Sequence, residues 1–534
     1  MAIATTETGP SATRWAKVID HTRCIGCHAC TTACKSENEV PLGVTRTYVK
    51  YVDVGVFPAA RRAFQVTRCN QCENPPCVAS CPTAAMHQRP DGIVDFDKSI
   101  CIGCKACIAA CPYDAIFINP EDHSAEKCNF CAHRLDVGLE PACVVVCPTE
   151  AIVIGDMNDP LSRLASYVDR DAVTVRRPEK ETWPKLFYKG AHGATLDPLA
   201  AERPEGGLFM WSEQGNVSHG VTSGTPAEVA AAHRKHSRVS HGEQGESLRG
   251  NSSAAAILSY DVPHRAPWDY RVSLYTWTKS IAAGAFLVPV LLAFLNQLQW
   301  SSPLWEWATP VLAGAFLAIT GLILIWDLEH PLRFIYVLTK PQPRSWLVRG
   351  GFIITGYGAV LALLFLGNFV ALGGLERWLV WLGIPLAVMA SIYTAFLFAQ
   401  AKARDLWQSP LLPPHLLVQT LMAGAGAMIP VASYVEPGAV TPLAWTFVTA
   451  NAVHLLMVLG ETTMTHVTAH ARLALHEMVK GQFAAFFWAG IFMGLAAMVA
   501  VMPGLAIPGA VAGMLGLLAF EHAYVQAGQS VPLA

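Results

Sequence analysis

The stretch CIGCKACIAACP at residues 101–112 decides the fold of the first part of the chain. It carries four cysteines in the spacing C-x2-C-x2-C-x3-C: Cys101, Cys104, Cys107 and Cys111. Three cysteines at such short intervals can surround one face of a compact inorganic group, because the loop turns its backbone amides inwards. The fourth cysteine follows one helical turn later and points away, so it can bind a neighbouring group. This spacing is typical of cysteines that bind [4Fe–4S] clusters.

Three further runs of four cysteines flank this stretch. Group 1 has the same spacing, group 2 is C-x2-C-x4-C-x3-C, and group 4 is C-x2-C-x11-C-x3-C; the quoted stretch is group 3. The members of the further groups are Cys24, Cys27, Cys30 and Cys34; Cys69, Cys72, Cys77 and Cys81; and Cys128, Cys131, Cys143 and Cys147. The four groups use all 16 cysteines of the chain. A proline follows the last cysteine of groups 2, 3 and 4, whereas Lys35 follows group 1.

The fourth cysteine of each group is expected to serve the cluster of another group. Groups 2 and 3 form one crossed pair, and groups 1 and 4 form the other. The expected ligand sets are set A, Cys24, Cys27, Cys30 and Cys147; set B, Cys34, Cys128, Cys131 and Cys143; set C, Cys69, Cys72, Cys77 and Cys111; and set D, Cys81, Cys101, Cys104 and Cys107. Zinc is the main alternative, but structural zinc sites usually join two C-x2-C pairs. Disulfides are disfavoured because Met1–Asp20 has no apolar export signal.

The composition predicts a membrane part. Of the 534 residues, 52 % are hydrophobic and only 15 % are charged. The formal net charge of −2 argues against a nucleic-acid binder. All cysteines lie in the first 147 residues, whereas long apolar runs begin at Leu274.

Four segments follow from these patterns. We expect a cluster domain at 1–157, an extension at 158–214, a flexible linker at 215–267 and a membrane anchor at 268–534. The extension carries the apolar patches Lys185–Tyr188 and Leu208–Trp211, so it is expected to pack on the cluster domain or on a partner. The linker is rich in Ser, Gly, Ala and His. Its histidines lack a fixed ligand spacing, which favours a solvated tether over a metal site.

Eight apolar runs are each near the ~20 residues that a bilayer requires. The expected spans are Leu274–Leu295, Leu304–Trp326, Gly350–Leu372, Trp378–Phe398, Leu416–Tyr434, Thr441–Gly460, Phe483–Met502 and Ala506–Ala523. A large buried helical core is the alternative, and eight such runs disfavour it. The predicted fold class is α+β: a double bacterial-ferredoxin-like domain followed by an all-α bundle of eight transmembrane helices.

The first 155 or so residues resemble the four-cluster subunits of the dimethyl sulfoxide reductase family of molybdenum and tungsten enzymes. The ligand sets above look like those of that family. In some relatives one ligand is replaced and the cluster loses an iron, whereas every ligand position here is Cys. The resemblance therefore implies four [4Fe–4S] clusters and a separate catalytic subunit with a bis-pterin cofactor, since no stretch of this chain resembles a pterin site.

The apolar half resembles the NrfD-type anchors of polysulfide reductase. The stretches that carry this resemblance are YTWTKSIAAGAF from Tyr275, DLEHPLRF from Asp327, and YTAFLF from Tyr393 with SPLLP from Ser409. Such anchors bind quinone and no haem. Haem anchors need histidine pairs within spans, and His454 is the only histidine that clearly lies inside an expected span. The expected quinone is menaquinone or ubiquinone.

Quinone reduction couples two electrons to two protons, so its site needs hydrogen-bond donors and a titratable relay. Such groups concentrate at the cluster-side ends of the spans. The candidate quinone residues are Tyr393, Asp327, His330, Tyr275, Lys279 and Glu461, with Tyr393 favoured by resemblance. Taken singly, each has an alternative role as an interfacial anchor.

Loop charges predict the orientation of the anchor. Eight basic residues lie in loops on the side of the cluster domain, against Arg377 alone on the other: Arg333, Lys340, Arg344, Arg349, Lys402, Arg404, Arg472 and Lys480. This bias places the cluster domain in the cytoplasm and the anchor in the inner membrane, although a basic docking surface gives the same bias.

The expected function is electron transfer between a molybdenum or tungsten catalytic subunit and the quinone pool. The chain itself is not expected to act on the substrate, for which formate, sulfite, polysulfide, thiosulfate and S-oxides are candidates. A redox-driven proton-translocating module is an alternative, for which Asn451, His454 and Glu461 lie along one stretch of the sixth span. A hydrogenase or a multihaem cytochrome as the partner is a third possibility.

Overall fold

The computed structural model describes residues 13–55, 58, 60–202, 256–370 and 374–534. The chain divides into two compact units. The cysteine unit contains residues up to Arg265 together with Pro532–Ala534, and the helical unit contains Ala266–Val531. The predicted fold class is confirmed, because a small strand-rich region precedes an all-helical region with eight helices long and apolar enough to cross a membrane. Leu208–Trp211 and most of the expected linker lie outside the described residues.

The cysteine unit is built from short strands and helices. Its strands are β1 Trp15–Asp20, β2 Thr47–Val54, β3 Arg61–Arg68, β4 Met86–Gln88, β5 Val94–Phe96, β6 Ile116–Ile118, β7 Ala125–Lys127, β8 Ile152–Asp156, β9 Val173–Thr174, β10 Leu186–Lys189 and β11 Ala256–Tyr260. Its helices are α1 Ala29–Glu37, α2 Pro76–Ser80, α3 Ala106–Ala110, α4 Ala132–Leu135, α5 Ala142–Val145, α6 Arg163–Arg170 and α7 Gly193–Leu196. The strands form sheets in the orders β8-β1-β10-β9 and β11-β2-β3, and two hairpins, β4-β5 and β6-β7.

β1 lies inside the four-stranded sheet, between two strands from much later in the sequence. It pairs antiparallel with β8, with Val18 opposite Val153, and parallel with β10, with Val18 opposite Phe187. The extension that follows the cysteine groups therefore completes this sheet. β11 pairs antiparallel with β2. Composition places residues 256–260 in a linker. In the structure they form an edge strand, in which the Leu258 side chain is buried and that of Ile257 is exposed.

The short helices carry the cysteines in two pairs. α2 packs against α3, and α1 packs against α5. The cysteines on these helices are Cys77 on α2, Cys107 on α3, Cys30 and Cys34 on α1, and Cys143 on α5. Gly26 and Gly103 occupy equivalent positions in groups 1 and 3, each with φ of +69°. That conformation suits glycine and lets the loop curl before each helix.

The helical unit contains all eight predicted spans. They run Tyr270–Phe294, Leu304–Trp326, Trp346–Gly367, Leu375–Gln400, Leu412–Val435, Pro437–Thr463, Ala484–Val501 and Ala506–Ser530. The largest difference is in the eighth span, which continues seven residues past the expected end at Ala523. Polar residues such as Gln526 and Gln529 lower its apolar signal, but they are held by hydrogen bonds to the Trp268 carbonyl.

The first span is the most buried of the eight and packs against the second, fourth, fifth and eighth. Its contact with the fifth span is a backbone contact, because a Cβ at Gly284 would overlap the backbone of Thr420 and Gly424. Small residues permit such close approach in lipid. Consecutive spans run in opposite directions, so every even-numbered span ends where the first begins. We call this the Tyr270 end of the helical unit.

Candidate functional site

None of the 16 cysteines, all of which lie among the described residues, forms a disulfide, and most are buried in the cores of the cysteine unit. Cys27 is the one exposed thiol among them. The helices α1, α2, α3 and α5 bring their sulfur atoms together from distant parts of the sequence.

The cysteines of groups 1 and 4 are electrostatic neighbours. Cys34 interacts with the three members of set B that come from group 4. Cys147 in turn interacts with Cys24 and Cys30 of set A. The fourth cysteine of each group thus lies beside the first three of the other group.

Groups 2 and 3 are arranged in the same way. Cys111 interacts with Cys72 and Cys77 of set C, and Cys81 interacts with Cys107 of set D. In the folded cysteine unit, the four sets are also arranged in a series. Electrostatic interactions between neighbouring sets join Cys30 with Cys143, Cys69 with Cys128, and Cys77 with Cys107. Their order is therefore A, B, C, D.

The donor chemistry fits an iron–sulfur group. Burial raises the pKa of the Cys30 thiol to about 11 and that of Cys111 to about 12, so these sulfurs need a cationic core to become thiolate ligands. Among the described residues, no three His, Cys, Asp or Glu side chains are close enough to hold a single metal ion. A tetrahedral ion with bonds of about 2.3 Å needs its sulfurs about 3.8 Å apart, whereas a four-iron cluster holds its thiolates further apart.

One sulfur is held by two buried cations. Lys17 Nζ lies 3.6 Å and Arg68 Nη1 lies 3.0 Å from Cys143 Sγ. Burial raises the pKa of Cys143, but Lys17 and Arg68 outweigh this effect and lower it to about 7. Both cations are almost fully buried. Sequence reasoning missed them, since each precedes Cys143 by at least 75 residues.

Backbone amides also point at the sulfurs. The donors are Gln71 N to Cys69, Met86 N to Cys81, Ala125 N to Cys101 and Ala151 N to Cys147, at 3.2 to 3.5 Å. Such bonds favour the thiolate over the thiol. The sulfurs that receive these bonds belong to sets A, C and D.

In the helical unit, three of the candidate quinone residues meet at one place. Lys279 Nζ donates to the Ser391 carbonyl at 2.8 Å and lies 2.7 Å from Thr394 Oγ1. The same ammonium lies 5.0 Å from the centre of the Tyr393 ring. Tyr275 lies against Tyr393 and Thr394. All of these side chains are buried near the Tyr270 end.

The other three candidate quinone residues do not share these contacts with Lys279. Asp327 is buried at the end of the second span, where Arg271 Nε lies 3.4 Å from its Oδ1. His330 stands three residues further on, before the short helix Pro331–Ile335. Glu461 lies beside Tyr524, near the end of the sixth span. Sequence reasoning did not pick out Thr394, because a single threonine in an apolar span carries no signal.

The histidines of the spans differ from expectation. His454 is not the only one inside a span, because the fifth helix begins at Leu412 and includes His415, and the eighth helix includes His522. His415 Nε2 lies 2.8 Å from His454 Nδ1. Two imidazoles that bind opposite sides of one iron would be about 4 Å apart, at about 2 Å for each bond. This pair is therefore a direct hydrogen bond and not a haem ligand pair.

Comparison with known families divides the chain in the same way. Residues 61–157 match the family described as "4Fe-4S dicluster domain", and residues 260–513 match "Polysulphide reductase, NrfD". The NrfD match and the eight apolar helices make this protein a multi-pass integral membrane protein.

Curated relatives match the cysteine unit. A subunit of the tetrathionate reductase of Salmonella typhimurium is 47 % identical over 194 residues, 35 % of this chain and 76 % of the relative. A subunit of the polysulfide reductase of Wolinella succinogenes is 43 % identical over 179 residues, 33 % of this chain and 94 % of the relative. The putative iron-sulfur subunit of a dimethyl sulfoxide reductase of Halobacterium salinarum is 36 % identical over 257 residues, 41 % of this chain and 98 % of the relative.

All three relatives are named as subunits of reductases, the third as an iron–sulfur subunit, and the matches cover 76 %, 94 % and 98 % of their lengths. This protein belongs to the family of [4Fe–4S] reductase subunits, and it carries an NrfD-type membrane domain fused to that subunit.

Proposed function

We propose that this chain is the electron-transfer and quinone-reactive membrane subunit of a respiratory oxidoreductase complex. The observation that carries the proposal is the order A, B, C, D of four cysteine sets in the cysteine unit. Each set supplies four thiols to one [4Fe–4S] cluster. The bound clusters would supply one-electron transfer between two partners.

The crossed ligand sets follow from the same observation. Cys34 belongs with set B because its neighbours are Cys128, Cys131 and Cys143. Buried cations in the unit offset the negative charge that thiolates and clusters bring into a low-dielectric interior. Lys17 and Arg68 do this at Cys143, and Lys127 does it at Cys69 and Cys77.

One partner is a catalytic subunit with a molybdenum or tungsten bis-pterin cofactor. The relatives named above are subunits of tetrathionate, polysulfide and dimethyl sulfoxide reductases, which supports a partner of that class. The positive charges of the loops support a cytoplasmic cysteine unit and an anchor in the inner membrane.

The other partner is quinone, at the Tyr270 end of the helical unit. The Tyr393 hydroxyl donates a hydrogen bond to a quinone carbonyl, and Lys279 stabilises the negative charge that reduction develops there. Thr394 fixes the Lys279 ammonium, so the site keeps its geometry without the substrate. Asp327, Tyr275 and His330 complete the polar end of the site, and Glu461 is a more distant proton donor.

The experiment combines metal analysis with two rate measurements on the purified complex. Iron and acid-labile sulfide should each reach about sixteen per chain on the Cys₄ [4Fe–4S] rule. Loss of the Tyr393 hydrogen bond costs about 0.5–1.5 kcal/mol, so Tyr393→Phe should slow quinone turnover several-fold. Single-turnover reduction of the clusters should be unchanged in this variant. Phe396→Leu, on the same helix, is the control.

Two results would contradict the proposal. Four zinc ions with little sulfide would reject the cluster assignment. Normal quinone kinetics in Tyr393→Phe, Asp327→Asn and Lys279→Met alike would place the quinone site elsewhere.

A further inference from the structure

Glu521 is a buried acid whose oxygens are not satisfied by neighbouring donors. It lies on the eighth span, and its side chain is 3 % exposed. Neither carboxylate oxygen has a hydrogen-bond partner among the residues that the structure describes. An acidic group in a membrane interior is costly, so such groups usually mark a pathway for ions or protons. A purely structural glutamate would have hydrogen-bond donors on its oxygens.

A small cavity lies beside this carboxyl group. Its volume is about 20 Å³, and its lining includes Glu521, Gln419, His415, Thr276 and Tyr524. Gln419 Oε1 also has no partner within the described part of the protein. A site of this size with several polar groups around it suits one water molecule, which needs about 10–15 Å³ and two to four partners.

Polar interactions continue from the cavity in two directions. On one side, Glu521 is attracted to the buried ammonium of Lys279. Lys279 in turn touches Thr394 and lies over the Tyr393 ring. On the other side, His415 lines the cavity and shares the 2.8 Å hydrogen bond with His454. The two rings pack around Phe520, which fixes their orientation.

This series of groups comes closest to the Tyr270 end of the helical unit at His415, whereas His454 stands nine residues before the last residue of its helix and lies as deep as Glu521. His415 is three residues after Leu412, the first residue of the fifth span, which is about 5 Å along the helix axis. Glu521 and Lys279 are each nine residues inside their spans, or about 14 Å. The groups therefore join the proposed quinone site to a region close to the surface.

We propose that Glu521, the water site beside it and the His415–His454 pair form a proton relay that serves quinone at Lys279 and Tyr393. This inference rests on the quinone site proposed above. Reduction of quinone takes up two electrons and two protons, and both carbonyl oxygens become hydroxyl groups. The electrons come from the reduced clusters and the protons come from bulk water. A neutral imidazole accepts a proton on one ring nitrogen and releases one from the other, so a hydrogen-bonded pair can pass protons on.

The first experiment compares Glu521→Gln with the parent complex in nanodiscs. Glutamine keeps the side-chain shape and cannot donate an acidic proton. We expect quinone reduction to slow at least tenfold and its solvent deuterium isotope effect to change, while the clusters are reduced at the normal rate and quinone affinity stays the same. Glu477→Gln is the matched control, because Glu477 is equally buried and lies outside the spans. A normal rate and a normal isotope effect in Glu521→Gln would overturn the proposal.

The second experiment observes the protonation change in the parent complex itself and uses Glu521→Gln only to assign the signal. Infrared difference spectra of the parent complex, recorded on quinone reduction, should contain a carboxylic acid C=O band that shifts in D₂O and is absent in Glu521→Gln. Absence of this band in the parent complex would also overturn the relay. If Tyr393→Phe impairs quinone turnover while Glu521→Gln does not, the relay fails and the quinone site stands. If neither has an effect, the quinone site itself is misplaced.

Discussion

Replacement of Arg68 by Met should lower the reduction potential of the cluster of set B. Arg68 is almost fully buried, and its Nη1 lies 3.0 Å from Cys143 Sγ. Methionine keeps much of the volume but removes the positive charge. An electron added to the cluster then loses a favourable interaction with the guanidinium group, so the reduced state becomes less stable.

The size of the shift follows from Coulomb's law. The added electron would be spread over the cluster beyond the sulfur, and a charge separation of about 6.5 Å would give about 2.5 kcal/mol at an effective dielectric constant of about 20. For a one-electron couple, 59 mV corresponds to a tenfold change in the equilibrium constant, so the potential should fall by about 100 mV. A smaller decrease is expected for the set A cluster, because Arg68 also interacts with Cys30.

The assay is a redox titration of the purified complex followed by EPR spectroscopy. Iron and sulfide contents first establish that all clusters are present in the variant. Arg68→Lys keeps the charge and should retain most of the potential. Lys127→Met is the matched control, because Lys127 acts on Cys69 and Cys77 and should shift the set C cluster instead. An unchanged set B potential in Arg68→Met, or the same shift in all four clusters, would refute the reasoning.

Three further predictions concern other parts of the molecule. Cys34→Ser should perturb the set B cluster and spare the other EPR signals; a change confined to set A would disprove the crossed assignment. Gly284→Leu should prevent assembly of the helical unit, because its side chain would overlap the fifth span, whereas Gly314→Leu has open space and should be tolerated in a detergent stability assay. His264→Gln should reduce thermal stability most at low pH. Burial lowers the pKa of His264, but Asp261 and Asp114 outweigh this effect and raise it to about 10. The stabilisation is therefore complete below about pH 6.5, the unfolded value, and is lost towards pH 10. A difference in melting temperature that does not shrink with pH would contradict this.

The parts of the fold that could be predicted are those that a regular sequence pattern marks. The cysteine spacing and the apolar runs identified both halves, and the second span was placed at its observed limits, Leu304–Trp326. The exact ends of other spans were less accurate, because polar residues at a helix end are held by local hydrogen bonds that a hydropathy pattern does not show. His415 was excluded from the fifth span for this reason, one residue before its expected start at Leu416.

Contacts between distant residues could not be predicted in the same way. Lys17 precedes Cys143 by 126 residues, and nothing around it distinguishes it from a solvated lysine. The same holds for Glu521 on the eighth span. Its link with Gln419 and His415 depends on how the fifth and eighth spans pack, which residue identity alone does not determine.

The position of β1 between β8 and β10 has a consequence for biosynthesis. Both neighbours are made long after β1, since β8 begins at Ile152 and β10 ends at Lys189. At about 5–20 residues per second, a ribosome needs roughly 8–34 s to reach the end of β10 after completing β1. Both edges of β1 are open to pairing with another polypeptide until β8 emerges, and the edge that β10 covers stays open for the whole interval. The hairpins β4-β5 and β6-β7 can close as soon as they emerge, so the N-terminal strand is the segment of the cysteine unit that most needs a chaperone during translation.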